Sequence, residues 1–280
     1  MQNYTLIGCP LGHSMSPFIH ERLFALSGRE ASYTLTEIPA GKLSDTMPAL
    51  RALEGFNITI PYKGDIIPFL DALDETAERY HAVNCVADRD GKAVGYNTDC
   101  TGFLRSVEQF ALGGKVLLVG CGGVGRMMAT EAALHGADLT IAEPDLPKAQ
   151  ALADELRQSV PGVKITVLPK AEPGSYDLLM NACPVGMYPR SHACPVTEEV
   201  IAGSKAVFDV IYNPTETLLL RKARALGKPA VGGAAMLVWQ AVRAHEIWYG
   251  GSFAPGAVAQ IIQDMEREID RLFPAEGEAQ

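Results

Sequence analysis
A chain of 280 residues, 48% hydrophobic and 20% charged, is long enough for two ordinary domains with buried cores and argues against global disorder. Its net charge of −9, without a long basic run, argues against nucleic acid or an anionic membrane as partner. The start, Met1-Gln2-Asn3-Tyr4, has no basic leader, and the longest apolar run, residues 229–239, is too short to cross a bilayer, so a cytoplasmic protein is expected. Residues 4–8 predict a short strand. Ser16-Pro17 predicts a helix over 16–26, with serine as N-cap and proline at the first helical position. Residues 32–38 alternate like a strand, 43–53 read as a helix and 55–60 as a strand. Residues 84–96 read as a hairpin turning at Asp90-Gly91. This alternation predicts a mostly parallel α/β layer.

A second α/β block follows. Strands are expected at 115–119, 139–142, 165–168, 178–181, 207–211 and 230–232, with helices at 123–135 and 146–158. This rhythm predicts a Rossmann sheet. Two helices, 235–249 and 255–272, close the chain, and 276–280 is expected to fray. Cys9, Cys85, Cys100, Cys121, Cys183 and Cys194 show no CxxC spacing and read as small buried hydrophobes. No HExxH pattern is present, so no metal is expected.

Three segments carry chemistry. Phe56-Asn57-Ile58-Thr59-Ile60-Pro61-Tyr62-Lys63 is an apolar strand with a polar end that leads to an amine. Gly95-Tyr96-Asn97-Thr98-Asp99 does the same and leads to a carboxylate. Both groups can move a proton, although Lys63 alone reads equally as an exposed helix-start lysine. Gly120-Cys121-Gly122-Gly123-Val124-Gly125 lies between a strand and a helix. There glycine lets the backbone approach a pyrophosphate, and the helix N-terminus offers N–H donors. A proton-transfer-capable domain ahead of a nucleotide domain predicts hydride transfer to or from a small polar substrate.

The chain resembles the shikimate/quinate dehydrogenase family over essentially its whole length. The match is carried by Gly12-His13-Ser14-Met15-Ser16-Pro17, Asn57-Ile58-Thr59-Ile60-Pro61-Tyr62-Lys63, Ala82-Val83-Asn84, Gly95-Tyr96-Asn97-Thr98-Asp99-x-x-Gly102, Asp209-x-x-Tyr212-x-Pro214, Met236-Leu237-Val238-x-Gln240-Ala241 and the glycine loop. The resemblance implies a substrate-binding α/β domain over 1–101 and a dinucleotide-binding Rossmann domain over 102–236, with a cleft between them. The helices of 237–280 would return to the substrate domain. It implies reversible reduction of 3-dehydroshikimate, or 3-dehydroquinate, by a nicotinamide cofactor, in a monomer or homodimer.

It also implies roles. Ser14 and Ser16 bind the substrate carboxylate, which suits hydroxyls beside a helix start, although Ser16 alone reads as a plain N-cap. Thr59, Asn84 and Gln240 bind ring hydroxyls. Lys63 is the general acid/base, held by Asp99. Tyr212 lies near the cleft. Gly120, Gly122, Gly123, Val124 and Gly125 hold the cofactor, with Asn181, Cys183 and Gly233 near it. Glu143-Pro144-Asp145 stands where members that use NADP carry Asn-Arg-Thr, and Glu143 falls near the spacing of a ribose-binding acid. A carboxylate at Glu143, seconded by Asp145, predicts NAD preference over NADP. The alternatives are that both acids only begin the next helix, and that the chain is an NADP-dependent biosynthetic enzyme. Other departures are His81 at a usual glycine position, Cys85 where threonine is common, and Ala234-Ala235 before Met236. A non-catalytic dinucleotide sensor on the same fold would not need Lys63 and Asp99, and the Ser14/Ser16 and Asn97-Thr98-Asp99 segments argue against a methylene-tetrahydrofolate dehydrogenase.

Overall fold
The computed structural model describes residues 2–12 and 14–273; His13 of the first motif and the tail expected to fray, 276–280, lie outside the described residues. In chain order the elements are β1 (Gln2–Gly8), α1 (Ser16–Leu26), β2 (Ala31–Glu37), α2 (Leu43–Leu50), β3 (Gly55–Ile58), α3 (Tyr62–Asp65), β4 (Ala72–Leu73), α4 (Glu75–Tyr80), β5 (Cys85–Arg89), β6 (Lys92–Tyr96) and α5 (Asp99–Val107). There follow β7 (Lys115–Val119), α6 (Gly123–Leu134), β8 (Asp138–Ala142), α7 (Leu146–Ser159), β9 (Lys164–Leu168), β10 (Leu178–Asn181), α8 (Glu198–Ala202), β11 (Val207–Asp209), α9 (Leu218–Ala225), β12 (Ala230–Gly232), α10 (Gly233–Tyr249) and α11 (Pro255–Leu272). Among the described residues no helix is long and apolar enough to cross a membrane.

The chain divides into two compact units, one of Met1–Gly102 with Val238–Met265, the other of Phe103–Leu237 with the residues from Glu266 onward. The last turns of α11 group with the second unit, where Thr215 donates to the Asp270 carboxylate at 2.6 Å and the Tyr188 ring meets Phe273 at 5.4 Å.

The first unit holds a six-stranded sheet in the order β2-β1-β3-β5-β6-β4. β1 runs parallel to β2 and β3, and β4 parallel to β6, whereas β3/β5 and β5/β6 are antiparallel. The hairpin turn has Asp90 at φ 54° and Gly91 at φ 80°, the two left-handed residues of a tight β-turn that matches strand twist. His81, at the end of α4, also sits at φ 47°, which explains why glycine suits that position. Gly55 is required by packing: a Cβ there would fall 2.3 Å from Trp248 Nε1, which donates to the Val86 carbonyl at 3.0 Å. Cys85 lies fully buried in this core, and burial pushes its thiol well up, so it packs as a hydrophobe.

His20 on α1 and His245 on α10 form a buried pair in the same unit, with Nδ1 of the first 2.8 Å from Nε2 of the second. Burial, and then the Arg29 guanidinium, hold the His245 imidazole down at about 3. Its folded pKa lies below the value of 6.5 for a free imidazole, so the unfolded chain takes the proton first as pH falls. Stability present above pH 6.5 is therefore lost on going down toward pH 3, by about 1.4 kcal/mol per pH unit from this group. Urea unfolding is expected to give a value about 2 kcal/mol lower at pH 5 than at pH 7, and a smaller difference in His245→Gln. His20, lowered by burial and by His245, acts in the same direction. The same pH difference in the variant and the unaltered chain would contradict this account.

The second unit holds a parallel sheet in the order β12-β11-β10-β7-β8-β9. The winding reverses between β7 and β10, the place where doubly wound sheets bind ligands at the strands' carboxyl ends. β7 is the apolar run KVLLV, buried from Val116 onward, as a central parallel strand requires.

Candidate active site
In the first unit the two polar-tipped strands deliver their ends to one place. β3 stops at Ile58, and α3 then turns Lys63 inward; its carbonyl accepts from Val83 N at 2.7 Å. Asp99 opens α5, where a carboxylate suits the helix start, and Asn97 Oδ1 accepts from its N–H at 3.1 Å. Lys63 Nζ donates to Asp99 Oδ2 at 2.6 Å, with side chains 28% and 18% exposed: screened from water on most sides yet open to a ligand. Asn84, immediately before β5, donates to Asp99 Oδ1 at 2.8 Å and accepts from Thr98 N at 2.7 Å. Thr98 Oγ1 in turn reaches Gln240 Oε1 on α10 at 3.3 Å. Lys63, Asn84, Asp99 and Gln240, far apart in the chain, thus share one hydrogen-bonded cluster. Thr59 is half-buried, and its carbonyl accepts from Tyr62 N at 3.0 Å as the chain leaves β3 for α3.

Ser16 is not the N-cap of α1. Met15 occupies the cap position with αR geometry, no side chain caps the helix, and Ser16 is its first residue. Ser16 N instead donates to Ser14 Oγ at 3.2 Å, and the two hydroxyls lie 3.2 Å apart. A pair of hydroxyls at a helix start suits an anion.

Two residues of this unit lacked a role in the sequence reading. Tyr33 on β2 donates from its phenol to Asn57 Oδ1 at 2.8 Å, and Asn57 Nδ2 donates to the Asn84 carbonyl at 3.0 Å. Burial pushes the Tyr33 phenol well up, against the pull of a hydrogen bond with the Ser16 hydroxyl. A polar Asn57 within an otherwise apolar strand was the only available signal; nothing in the sequence marks Tyr33.

The second unit carries the nucleotide features. Gly120 has φ 88°, and a Cβ on it would fall 2.9 Å from Cys183 Cβ, so the loops after β7 and β10 touch. A Cβ on Gly125 would fall 2.3 Å from the Gly120 carbonyl oxygen, the packing role of the third glycine. Gly122 and Gly123 face open space where a Cβ would project, beside the N-terminus of α6 with its first-turn N–H groups, including that of Val124. These residues fit a dinucleotide pyrophosphate. Asn181 is fully buried; its Oδ1 accepts from Cys183 N at 3.1 Å, and its Nδ2 donates to Asp209 Oδ1 at 2.9 Å. Burial raises the Cys183 thiol, which makes its place in the turn, not its sulfur chemistry, the relevant feature. Gly233 opens α10, and a Cβ there would fall 1.9 Å from the Val210 carbonyl oxygen. Tyr212 lies in the same unit, 36% exposed.

A cavity of about 410 Å³ adjoins the glycine loop, lined among others by Gly120, Glu143, Lys148, Lys170 and Cys183. The Glu143 carboxylate points back at the loop: Oε2 accepts from Cys121 N at 3.0 Å and Oε1 from Asp145 N at 3.2 Å. Burial would raise it, but these N–H donors, the Cys121 thiol and the Lys148 ammonium leave it below the usual carboxylate range. Lys148 Nζ lies 3.8 Å from it. Asp145 is the N-cap of α7, its Oδ1 accepting from Lys148 N at 3.2 Å.

A parallel sheet with a glycine cradle at its switch point, and a separate unit that pairs an ammonium with a carboxylate, define the class of nicotinamide-dependent dehydrogenases. Comparison with known proteins makes the assignment particular. The model of the shikimate dehydrogenase substrate binding domain matches residues 6–86. The shikimate dehydrogenase (NADP(+)) of Geobacillus kaustophilus is 38% identical, over 88% of this chain and 92% of its own. Shikimate 5-dehydrogenase of Thermus thermophilus, solved with NADP(H) and shikimate, is 30% identical with a TM-score of 0.84, over 95% of this chain and 100% of its own. The Listeria monocytogenes shikimate 5-dehydrogenase, solved with shikimate and NAD, is 29% identical with a TM-score of 0.81, over 94% and 96%. The chain belongs to the shikimate dehydrogenase family and is an NAD(P)-dependent oxidoreductase. The expectation of NAD preference finds no support in the names of the curated relatives, among them those of Geobacillus kaustophilus and Shouchella clausii, which are shikimate dehydrogenases (NADP(+)).

Proposed function
We propose that this chain catalyses the reversible reduction of 3-dehydroshikimate to shikimate with NADP. The observation that carries the proposal is the Lys63–Asp99 pair, 2.6 Å apart and joined to Asn84, in a unit matching the family's substrate-binding domain. Ser14 and Ser16 hold the carboxylate. Thr59, Asn84 and Gln240 meet ring hydroxyls, so analogues lacking them leave buried polar groups unpaired and bind poorly. The bound nicotinamide supplies the hydride for reduction and accepts it in the reverse direction. As negative charge grows on the substrate carbonyl oxygen, the Lys63 ammonium stabilises it and donates the proton; in oxidation the lysine takes that proton back. Asp99 keeps the ammonium oriented and accepts from a neighbouring hydroxyl.

For the cofactor, Lys148 and Lys170 in the cavity beside the glycine loop offer two cations to a 2′-phosphate against one carboxylate, Glu143. A second reading, NAD, rests on Glu143 itself: a carboxylate there accepts from ribose hydroxyls and opposes a phosphate. Steady-state kcat/KM with each cofactor decides between them. The NADP reading expects a higher value with NADP, and a fall of about tenfold for NADP but little for NAD in Lys148→Ala, as loss of one charged hydrogen bond gives. Higher kcat/KM with NAD, together with a gain in NADP use in Glu143→Gln, establishes the NAD reading instead.

A further inference from the structure
Tyr33 touches none of the residues that the proposed function places on the substrate's ring hydroxyls, yet its phenol begins a directed series of hydrogen bonds toward them. The phenol donates to Asn57 Oδ1 at 2.8 Å, and both side chains are buried, 6% and 4% exposed. A side-chain amide fits its space in two orientations that exchange oxygen and nitrogen. The Asn84 carbonyl can only accept, so Asn57 turns its Nδ2 to it, at 3.0 Å, and its oxygen to Tyr33, whose phenol supplies the proton that this buried oxygen needs. That carbonyl also accepts from Ile58 N at 2.9 Å, so Asn84 is held to β3 at two points. The Asn84 side chain, placed in this way, donates to Asp99 Oδ1 at 2.8 Å and to Thr98 Oγ1 at 3.0 Å. The Tyr33 ring is itself fixed by stacking on His20, with centroids 3.9 Å apart and planes 6° from parallel.

We propose that Tyr33 is a positioning residue for this reaction: by holding Asn57 in place, it sets Asn84 against Asp99 and the substrate. The proposal rests on the shikimate reading above. Its reach is specific. Removing the phenol oxygen leaves Asn57 Oδ1 buried without its donor, so the amide is held from one side only and the Asn57 tether on Asn84 loosens. The ring and its stack on His20 survive in Tyr33→Phe, so the fold has little reason to change.

The test is a double-mutant cycle on shikimate oxidation with Tyr33→Phe, Asn57→Ala and both together. Each single variant is expected to lower kcat/KM for shikimate by about 2–12-fold, the range for one neutral hydrogen bond, chiefly as a rise in KM for shikimate, while KM for the dinucleotide stays unchanged. In the Asn57→Ala background, Tyr33→Phe is expected to cost less than it does alone, because the amide it holds is gone and only its contact with the Ser16 hydroxyl remains to lose. A tyrosine that only fills the core would lower the thermal midpoint and the fraction of active protein and leave KM for shikimate where it was. Effects that multiply in the double variant, or an unchanged KM for shikimate in Tyr33→Phe, overturn the proposal. Unaltered kinetics in Asn57→Ala overturn it however the phenylalanine variant folds. If the unaltered chain fails to oxidise shikimate, the functional reading falls and this proposal with it; turnover with a multiplicative cycle removes the proposal alone.

Discussion

Lys63→Ala is expected to lower kcat for shikimate oxidation by about 10²–10⁴-fold, the range for a positioned acid/base, and to leave cofactor affinity nearly unchanged. The ammonium is the group at the site able both to give a proton and to stabilise growing negative charge on the carbonyl oxygen. Its removal leaves α3 intact, because the Lys63 carbonyl still accepts from Val83 N, and it leaves Asp99 bonded to Asn84. Both partners belong to the first unit and the glycine loop to the second, so dinucleotide affinity serves as the control. A kcat within a few-fold of the unaltered chain would remove Lys63 from the mechanism.

The second large effect is expected for the Ser14→Ala/Ser16→Ala double variant, in KM. A hydrogen bond to a charged group contributes about 1.5–3 kcal/mol, so losing two raises KM for shikimate by about 10²-fold or more. The effects of the single changes should not add fully, because the two hydroxyls lie 3.2 Å apart. The structure separates this prediction from a helix-capping role. Ser16 is not the cap residue, so the fold loses the bond between the two hydroxyls, the Ser14 hydroxyl's bond to Ser16 N–H and the Ser16 contact with Tyr33, each about 0.5–1.5 kcal/mol. An unchanged KM accompanied by a marked fall in thermal stability would show that these serines serve α1 and not the substrate.

Where the sequence was readable, a strong local signal agreed with the tertiary demand. The apolar run at 115–119, the glycine loop after it and the Asp90-Gly91 turn all appear where their chemistry placed them, because φ sign and burial leave few choices there. Lys63 and Asp99 were readable as a pair since each follows a polar-tipped strand. The ambiguous positions are those where one residue type serves two ends. A serine before a proline signals a cap, but Met15 takes that place and Ser16 moves into the first turn. Glu143 was readable as a ribose contact or as a helix start, and its carboxylate accepts from Cys121 N and Asp145 N beside Lys148. Asp145 shows the helix-start role, its carboxylate capping α7. Tyr33, Asn57 and Thr98 stayed invisible as a network because their partners lie across strands, tens of residues away, and periodicity records burial but not which polar groups meet.

The most direct test of the central claim is the initial rate of nicotinamide reduction with shikimate as the varied substrate, measured on the unaltered chain with NADP and with NAD. Saturable, shikimate-dependent reduction at kcat/KM of about 10⁴ M⁻¹s⁻¹ or more, the ordinary enzymatic range, is the result expected from a substrate unit with Lys63 set against Asp99 and a dinucleotide cradle at Gly120–Gly125. No shikimate-dependent reduction with either cofactor would contradict it.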